Sequence, residues 1–82
     1  MIEKEILSST DSIYNYKSED GKTTLGYLEI RLVDGVVDIM SLFVNEEVRR
    51  RGIATSLMEH MLNNEEYSRI MLEVNENNIQ AI

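Results

Sequence analysis

The spacing of apolar residues changes once along this 82-residue chain, and this change constrains the fold more than any other feature. Up to Val44, apolar and polar residues alternate between turn-forming sequences, which is typical of β-strands. From Ile53 to Leu62, apolar residues recur as adjacent pairs every fourth position, which is typical of one face of an α-helix. Arg69 to Val74 then has the composition of a strand again. The sequence therefore predicts a sheet whose strands are interrupted by one helix.

The first three predicted strands form an antiparallel meander. Their bounds are Ile13 to Lys17, Thr24 to Val33 and Val36 to Val44. Asp34-Gly35 is a two-residue hairpin sequence, because both central positions of such a turn favour positive φ. The first dozen residues fit either a helix or an edge strand.

The segment from Asn45 to Ser68 is long enough for a right-handed crossover that contains the helix. Asn63-Asn64 favours the end of that helix, because Asn tolerates the left-handed conformation. A crossover of this kind places the fourth strand parallel to the third. The chain has no proline, repeat or low-complexity linker, so we expect a single α+β domain over residues 1–82.

Composition excludes several classes of function. The net charge of −7 disfavours nucleic-acid partners, which need a basic surface. The absence of cysteine excludes a disulfide scaffold and a thiolate metal site, and we predict no bound metal. No segment is apolar enough for a signal peptide or a membrane span, so we expect a cytoplasmic protein without a membrane partner. Aromatic residues are only 6% of the chain, and so small a core predicts either missing chain or a homodimer.

Three consecutive arginines concentrate positive charge just before the predicted helix. Arg49, Arg50 and Arg51 precede Gly52, which permits close backbone approach, and Ala54 is small. A helix N-terminus offers unpaired N–H groups and a favourable dipole to an anion. The segment therefore has the features of a phosphate-binding loop, although it is neither a P-loop nor a dinucleotide fingerprint. An arginine run on a solvated surface is the alternative interpretation.

Two motifs in this order resemble one known family. Arg49-x-x-Gly52-x-Ala54 resembles the R/Q-x-x-G-x-G/A signature of the Gcn5-related N-acetyltransferases (GNAT). The segment from Leu72 to Ile82 is similar to the L-E-V-x-x-x-N-x-x-A-I segment of the ribosomal-protein-alanine branch. The resemblance implies the acyl-CoA N-acyltransferase fold, with a mostly antiparallel sheet, a β-α-β crossover and acetyl-CoA as cosubstrate. It also implies that the C-terminal third of the domain is missing, because the family's later helix and last two strands would follow residue 82.

The resemblance implies a set of cofactor-binding residues. The pantetheine arm would enter a V-shaped gap between the third and fourth predicted strands and pair with the backbone of the third. The pyrophosphate would lie on the arginine-rich loop, and an asparagine after the fourth strand would contact the pantetheine end. The residues at these positions are Leu42, Phe43, Val44, Arg49, Arg50, Arg51, Gly52, Ile53, Ala54, Thr55 and Asn78.

Catalytic roles also follow from the resemblance. The glutamate of L-E-V, here Glu73, would act as general base, although an ordinary carboxyl pKa of about 4.3 requires desolvation or a bridging water for this role. The family's general-acid tyrosine would fall beyond Ile82, and Glu73 also fits a solvent-facing strand carboxylate. Three functions stay open: acetyl transfer from acetyl-CoA to an amine of a small molecule or protein N-terminus, non-catalytic acyl-CoA binding, and an interaction fragment. His60, the one histidine, is expected at the surface.

Overall fold

The computed structural model describes residues 1–49 and 51–72 and contains one five-stranded sheet. Its elements are β1 (Ile2–Ile6), β2 (Asp11–Lys17), β3 (Thr24–Val33), β4 (Val36–Val44), a short 3-10 helix (Glu46–Val48), α1 (Ile53–Asn64) and β5 (Arg69–Leu72). The strands lie in chain order across the sheet. The first four are antiparallel, and β5 is parallel to β4. The predicted meander and parallel crossover strand are therefore confirmed.

The ambiguous start of the chain forms an edge strand. β1 pairs with β2 in an unbroken antiparallel register from Ile2–Tyr16 to Ile6–Ser12. Ile2 packs against the core, whereas Ile6 is largely exposed. The hairpin between β3 and β4 is also as predicted, since Asp34 and Gly35 both have positive φ, 52° and 77°.

A β-bulge interrupts β4 at its middle. Glu29 pairs with Ser41 and Ile30 pairs with Ile39, so Met40 has no partner on β3. A bulge bends its strand and increases the local twist. The described pairing of β4 with β5 ends at Ile39–Leu72, immediately before the bulge. The last part of β4, residues 41–44, therefore lies beyond this paired stretch.

The core lies between one face of the sheet and α1. Its buried members are mostly aliphatic: Tyr14, Leu28, Ile30, Val37, Ile39, Leu42 and Val44 from the sheet, and Ile53, Leu57 and Met61 from the helix. Ala54, Met58 and Leu62 pack at its margin, so the predicted apolar helix face is confirmed. Each fully buried side chain of this size contributes about 1.5–3 kcal/mol. No helix within the described residues has the length and apolar character needed to cross a membrane.

A polar cluster fastens the end of α1 to the first two strands. The Tyr14 hydroxyl donates a hydrogen bond to the Glu65 carboxylate, and Lys4 Nζ lies 2.6 Å from the same carboxylate. The His60 ring meets the Tyr14 ring edge-on, with 5.6 Å between their centroids. His60 was expected at the surface. The contact with Tyr14 instead leaves its side chain half-buried.

Burial and these partners shift two pKa values in the cluster. Burial raises the pKa of the Tyr14 hydroxyl, and the neighbouring carboxylate raises it further. Burial also acts to raise the pKa of Glu65, but the hydrogen bonds from Lys4 and Tyr14 outweigh it and lower this pKa below 4.5. Because the folded-state pKa is depressed, the resulting stabilisation is present above pH 4.5 and is lost as pH falls through the folded-state pKa.

Tyr14→Phe is therefore expected to lower the free energy of unfolding by about 1–2 kcal/mol at pH 7, since it removes a hydrogen bond to a charged group. The difference from the unsubstituted protein should shrink as the pH falls through the lowered folded-state pKa of Glu65, because the carboxylate then becomes neutral. Urea unfolding at pH 7 and at a series of pH values below 4.5 measures both quantities. Tyr16→Phe on the same strand is the control and should change stability little, because its hydroxyl makes no hydrogen bond within the described residues. A loss of free energy of unfolding that is the same at every pH would contradict a hydrogen bond from Tyr14 to the charged Glu65 carboxylate.

Candidate functional site

The start of α1 presents unpaired backbone donors. Its first internal hydrogen bond runs from the Ser56 N–H to the Gly52 carbonyl at 2.9 Å. The N–H groups of the three preceding residues, 53–55, have no hydrogen-bond partner within the part of the chain that the structure describes. No side chain caps this end of the helix either. A helix terminus of this kind attracts an anion through its donors and its dipole.

Gly52 sets the direction in which these donors point. It lies in the left-handed region, with φ 76° and ψ 14°. A Cβ added there would meet no described atom within 4 Å. The protein's own packing therefore does not require a glycine, whereas the backbone conformation does. The open space in front of Gly52 leaves room for a ligand to approach the donors.

The arginines of the loop have different roles. Arg49 is half-buried, and its Nε donates to the Val44 carbonyl at 3.2 Å, which ties the loop to the end of β4. Arg51 is exposed and faces the turn between β2 and β3. Arg50 lies outside the described residues. The side chain of Arg49 is therefore part of the framework, and Arg51 is available to a ligand.

An apolar cleft begins beside the helix start and runs between α1, β4 and β5. Its volume is about 500 Å³. Its lining residues are Ile39 and Leu42 from β4, Ala54, Thr55, Met58 and Glu59 from α1, and Ile70 and Leu72 from β5. Glu59 is the one charged side chain among these described residues. Ala54 and Thr55, two of the residues with unpaired N–H groups, thus line one end of this cleft.

The structure brings together part of the predicted cofactor set. Leu42, Ala54 and Thr55 line the cleft. Val44 is buried in the core, so only its backbone is near the site. The Phe43 side chain stacks on Tyr27 with ring centroids 5.6 Å apart, away from the cleft lining. Gly52 and Ile53 form the junction between loop and helix, and Glu73 and Asn78 lie outside the described residues.

Asp38 is a candidate that sequence reasoning missed. Its Oδ1 is buried and has no hydrogen-bond partner among the described residues. Such unpaired buried acceptors are rare. Its cross-strand neighbour Arg31 is bound to Asp11 instead, at 2.9 and 3.1 Å, and this hydrogen bonding is the main reason that the pKa of Asp11 falls to about 2. An acidic residue within the otherwise uncharged strand β4 was the available signal.

Solved acetyltransferase structures share this fold. An aminoglycoside acetyltransferase from an uncultured soil metagenomic sample superposes with a TM-score of 0.73 at 22% identity, over 85% of this chain and 51% of that one. Glucosamine-6-phosphate N-acetyltransferase from Arabidopsis thaliana gives a TM-score of 0.69 at 10% identity, over 84% and 54%. The aminoglycoside N-acetyltransferase AAC(6')-Iy in complex with CoA gives 0.67 at 17% identity, over 87% and 60%. The chain thus spans about half the length of the proteins it matches, and the likeness shows the fold alone.

Sequence comparison identifies the family. No curated protein sequence matches this chain significantly. The profile of the acetyltransferase (GNAT) family matches residues 3–82, almost the whole chain. The sheet with its parallel crossover strand and the open helix start of this structure agree with that match. This chain belongs to the GNAT acetyltransferase family.

Proposed function

We propose that this chain binds acetyl-CoA and serves in the transfer of its acetyl group to a primary amine. One observation carries the proposal: the apolar cleft between α1 and β5 is lined by Ala54 and Thr55, two of the three residues whose backbone N–H groups are unpaired at the start of α1. A cosubstrate with an uncharged arm attached to a pyrophosphate matches these two neighbouring surfaces, the apolar cleft for the arm and the helix start for the pyrophosphate. The arm would lie against Leu42 and Met58, and the pyrophosphate would accept hydrogen bonds from residues 53–55.

The position of the bulge supports the same arrangement. Residues 41–44 of β4 lie beyond its described pairing with β5. Amide groups of an extended arm have the spacing needed to pair with a strand backbone. Arg49 occupies one acceptor of this stretch, the Val44 carbonyl, through its hydrogen bond. We therefore propose that Leu42 and Phe43 supply the main backbone contacts to the arm.

Acetyl transfer requires removal of a proton from the attacking amine, stabilisation of the oxyanion and protonation of the departing thiolate. Glu73 directly follows Leu72, which lines the cleft, and is our proposed general base. Asp38 is a second carboxylate on β4, but it lies on the face of the sheet opposite to the cleft residue Ile39, because successive side chains of a strand point to opposite faces. It would therefore meet only an amine that approaches from that face. Its unpaired oxygen is suited to accepting a hydrogen bond from an ammonium group, and we assign it this positioning role.

The acceptor is proposed to be a cationic amine. A net charge of −7 attracts a protonated amine through the protein's field. The resemblance of residues 72–82 to the ribosomal-protein-alanine branch favours a protein N-terminus. The names of the structural neighbours favour amino sugars and aminoglycosides instead. A cytoplasmic location and a homodimer stay predictions from the sequence.

Calorimetric titration with acetyl-CoA tests the binding step, and release of free CoA with N-terminal peptides or aminoglycosides tests transfer. If acetyl-CoA binds but no amine is acetylated, the function that remains is non-catalytic acyl-CoA binding. If acetyl-CoA does not bind, only the role of an interaction fragment remains.

Glu73→Gln is expected to slow acetyl transfer by about 100-fold, because a positioned general base contributes about 10²–10⁴ to the rate. Affinity for acetyl-CoA should stay unchanged, since the carboxylate acts on the amine. CoA release measured over a range of pH checks the rate, and calorimetric titration with acetyl-CoA checks the affinity. Glu66→Gln, an exposed carboxylate between α1 and β5, is the matched control. Equal rates for Glu73→Gln and the control would remove Glu73 from the mechanism.

A further inference from the structure

The sheet has two outer strands, and their edges differ in charge. Among the described residues, β1 pairs only with β2, and β5 pairs only with β4. The outer edge of such a strand presents backbone N–H and C=O groups that can pair with another chain. β1 carries charged side chains at three consecutive positions, Glu3, Lys4 and Glu5. Residues 70–72 of β5 are Ile, Met and Leu, so this edge is apolar.

The charges of β1 oppose pairing between two copies of the chain at that edge. A two-fold antiparallel pair centred on the middle of β1 places Lys4 opposite Lys4 and Glu3 opposite Glu5. Like charges directly opposite each other destabilise a pair of strands. Charged side chains on an outer strand are a common protection against edge-to-edge association. The β1 edge is therefore protected.

The β5 edge lacks this protection and exposes apolar surface. Leu72 is 62% exposed and Met71 is 39% exposed, whereas Ile70 is half-buried. The helix does not cover these side chains, because α1 packs mainly on β2, β3 and β4. Removal of such apolar surface from water favours association with a further apolar strand.

The apolar run of β5 is complementary to itself in a two-fold arrangement. Complete overlap of residues 70–72 with the same run of a second, antiparallel copy places Met71 opposite Met71 and Ile70 opposite Leu72. Directly opposite side chains lie on the same face of the sheet, with Cβ atoms about 4.5–5.5 Å apart. Each apolar side chain of the run therefore meets an apolar side chain, and the exposed Leu72 is covered by the second copy.

We propose that two copies of this chain associate through β5, in an antiparallel pair centred on Met71. Because Ile70 and Leu72 line the cleft, the two clefts lie on the same face of the joined sheet, and each copy extends the β5 wall of the other. The inference goes beyond the proposed function and does not depend on it, since it rests on the two sheet edges. A pair of such short strands is small beside the roughly 1,200–2,000 Å² of a stable interface, so the dimer is expected to be reversible.

Met71→Cys tests the interface and its register, because the chain has no cysteine of its own. Directly opposite residues of an antiparallel pair have Cα atoms about 4.5–5.5 Å apart, and a disulfide spans about 4.4–6.8 Å. Met71→Cys should therefore form a covalent dimer on mild oxidation. Leu72→Cys is the matched control on the same strand. It should cross-link far less, because the two copies of residue 72 are diagonal neighbours, about 7–8 Å apart.

Sedimentation over a range of protein concentrations measures the association itself. The unsubstituted protein should be dimeric at high concentration and should dissociate on dilution. Met71→Lys places two ammonium groups opposite each other and should raise the dissociation constant of the dimer about tenfold or more. Ile6→Lys is the matched control, because Ile6 is 73% exposed at the end of the other outer strand. It should leave the dissociation constant unchanged.

Three results would overturn the inference, and each can be observed whether or not acetyl-CoA binds. A monomer at every concentration would show that a second copy does not pair with β5. Weaker association of Ile6→Lys together with unchanged association of Met71→Lys would place the interface at β1. Equal cross-linking of Met71→Cys and Leu72→Cys would exclude the register centred on Met71.

Discussion

Gly52→Val is expected to weaken acetyl-CoA binding by about 100-fold or more while the sheet and α1 stay folded. Gly52 has φ 76°, a region that costs an L-residue about 1–2 kcal/mol and a β-branched residue more. Relief of this strain rotates the backbone and turns the N–H groups of residues 53–55 away from the pyrophosphate. Each hydrogen bond to a charged group that is lost costs about 1.5–3 kcal/mol. Loss of two of these three hydrogen bonds costs at least about 3 kcal/mol, which exceeds the roughly 2.8 kcal/mol that corresponds to 100-fold.

Gly21→Val provides a control with the same backbone strain. Gly21 has φ 73° in the exposed turn between β2 and β3. Both variants should therefore lose similar free energy of unfolding in urea, and only Gly52→Val should lose affinity in calorimetry. Gly52→Asn adds a second comparison, because Asn tolerates the left-handed region and should bind more tightly than the valine variant. An affinity of Gly52→Val equal to that of the unsubstituted protein would show that the anion site is not at this loop.

Local signals explain which parts of the fold were predictable. The Asp34-Gly35 turn needs two positive φ values, and only a few residue types adopt them readily. The paired apolar residues from Ile53 to Leu62 define one helix face without reference to the rest of the chain. Both predictions are confirmed. The start of the chain was ambiguous because its edge strand is selected by pairing with β2, which is a tertiary contact.

The candidate site likewise has features that follow from local sequence and features that depend on tertiary contacts. The sequence predicts an anion site at the loop because a glycine before an amphipathic helix is a local pattern, and the site itself stays a prediction. The different roles of Arg49 and Arg51 were not, because they depend on where the end of β4 and the β2–β3 turn lie in space. The bulge at Met40 and the unpaired oxygen of Asp38 likewise arise from the register between strands. These features depend on the pairing between strands rather than on local sequence, since a one-residue shift in register moves every side chain to the other face.

Gly26→Ala is expected to lower the free energy of unfolding by about 1–2 kcal/mol, although alanine is ordinarily the better strand residue. Relative to glycine, alanine gains about 0.5–1 kcal/mol in strand interiors. A Cβ at Gly26 would lie 2.8 Å from the Phe43 carbonyl oxygen and 3.2 Å from methyl carbons of Ile53 and Val44. The carbonyl belongs to the backbone of β4, so a rotamer change cannot relieve the contact. Overpacking of this kind costs about 1–3 kcal/mol. This cost exceeds the gain from replacing glycine by alanine except where the overpacking cost is near about 1 kcal/mol.

The same substitution links stability to the site, because the three contacted residues flank it. Displacement of the Phe43 backbone and of Ile53 changes the spacing between the end of β4 and the start of α1. We therefore expect Gly26→Ala to weaken acetyl-CoA binding as well, even at a temperature where the variant is folded. Val33→Ala, at an exposed position on the same strand, should change stability by about 0.5 kcal/mol and leave binding unaltered. A more stable Gly26→Ala variant with full affinity would mean that β4 and α1 adjust freely, and the site would then not depend on their close approach at Gly26.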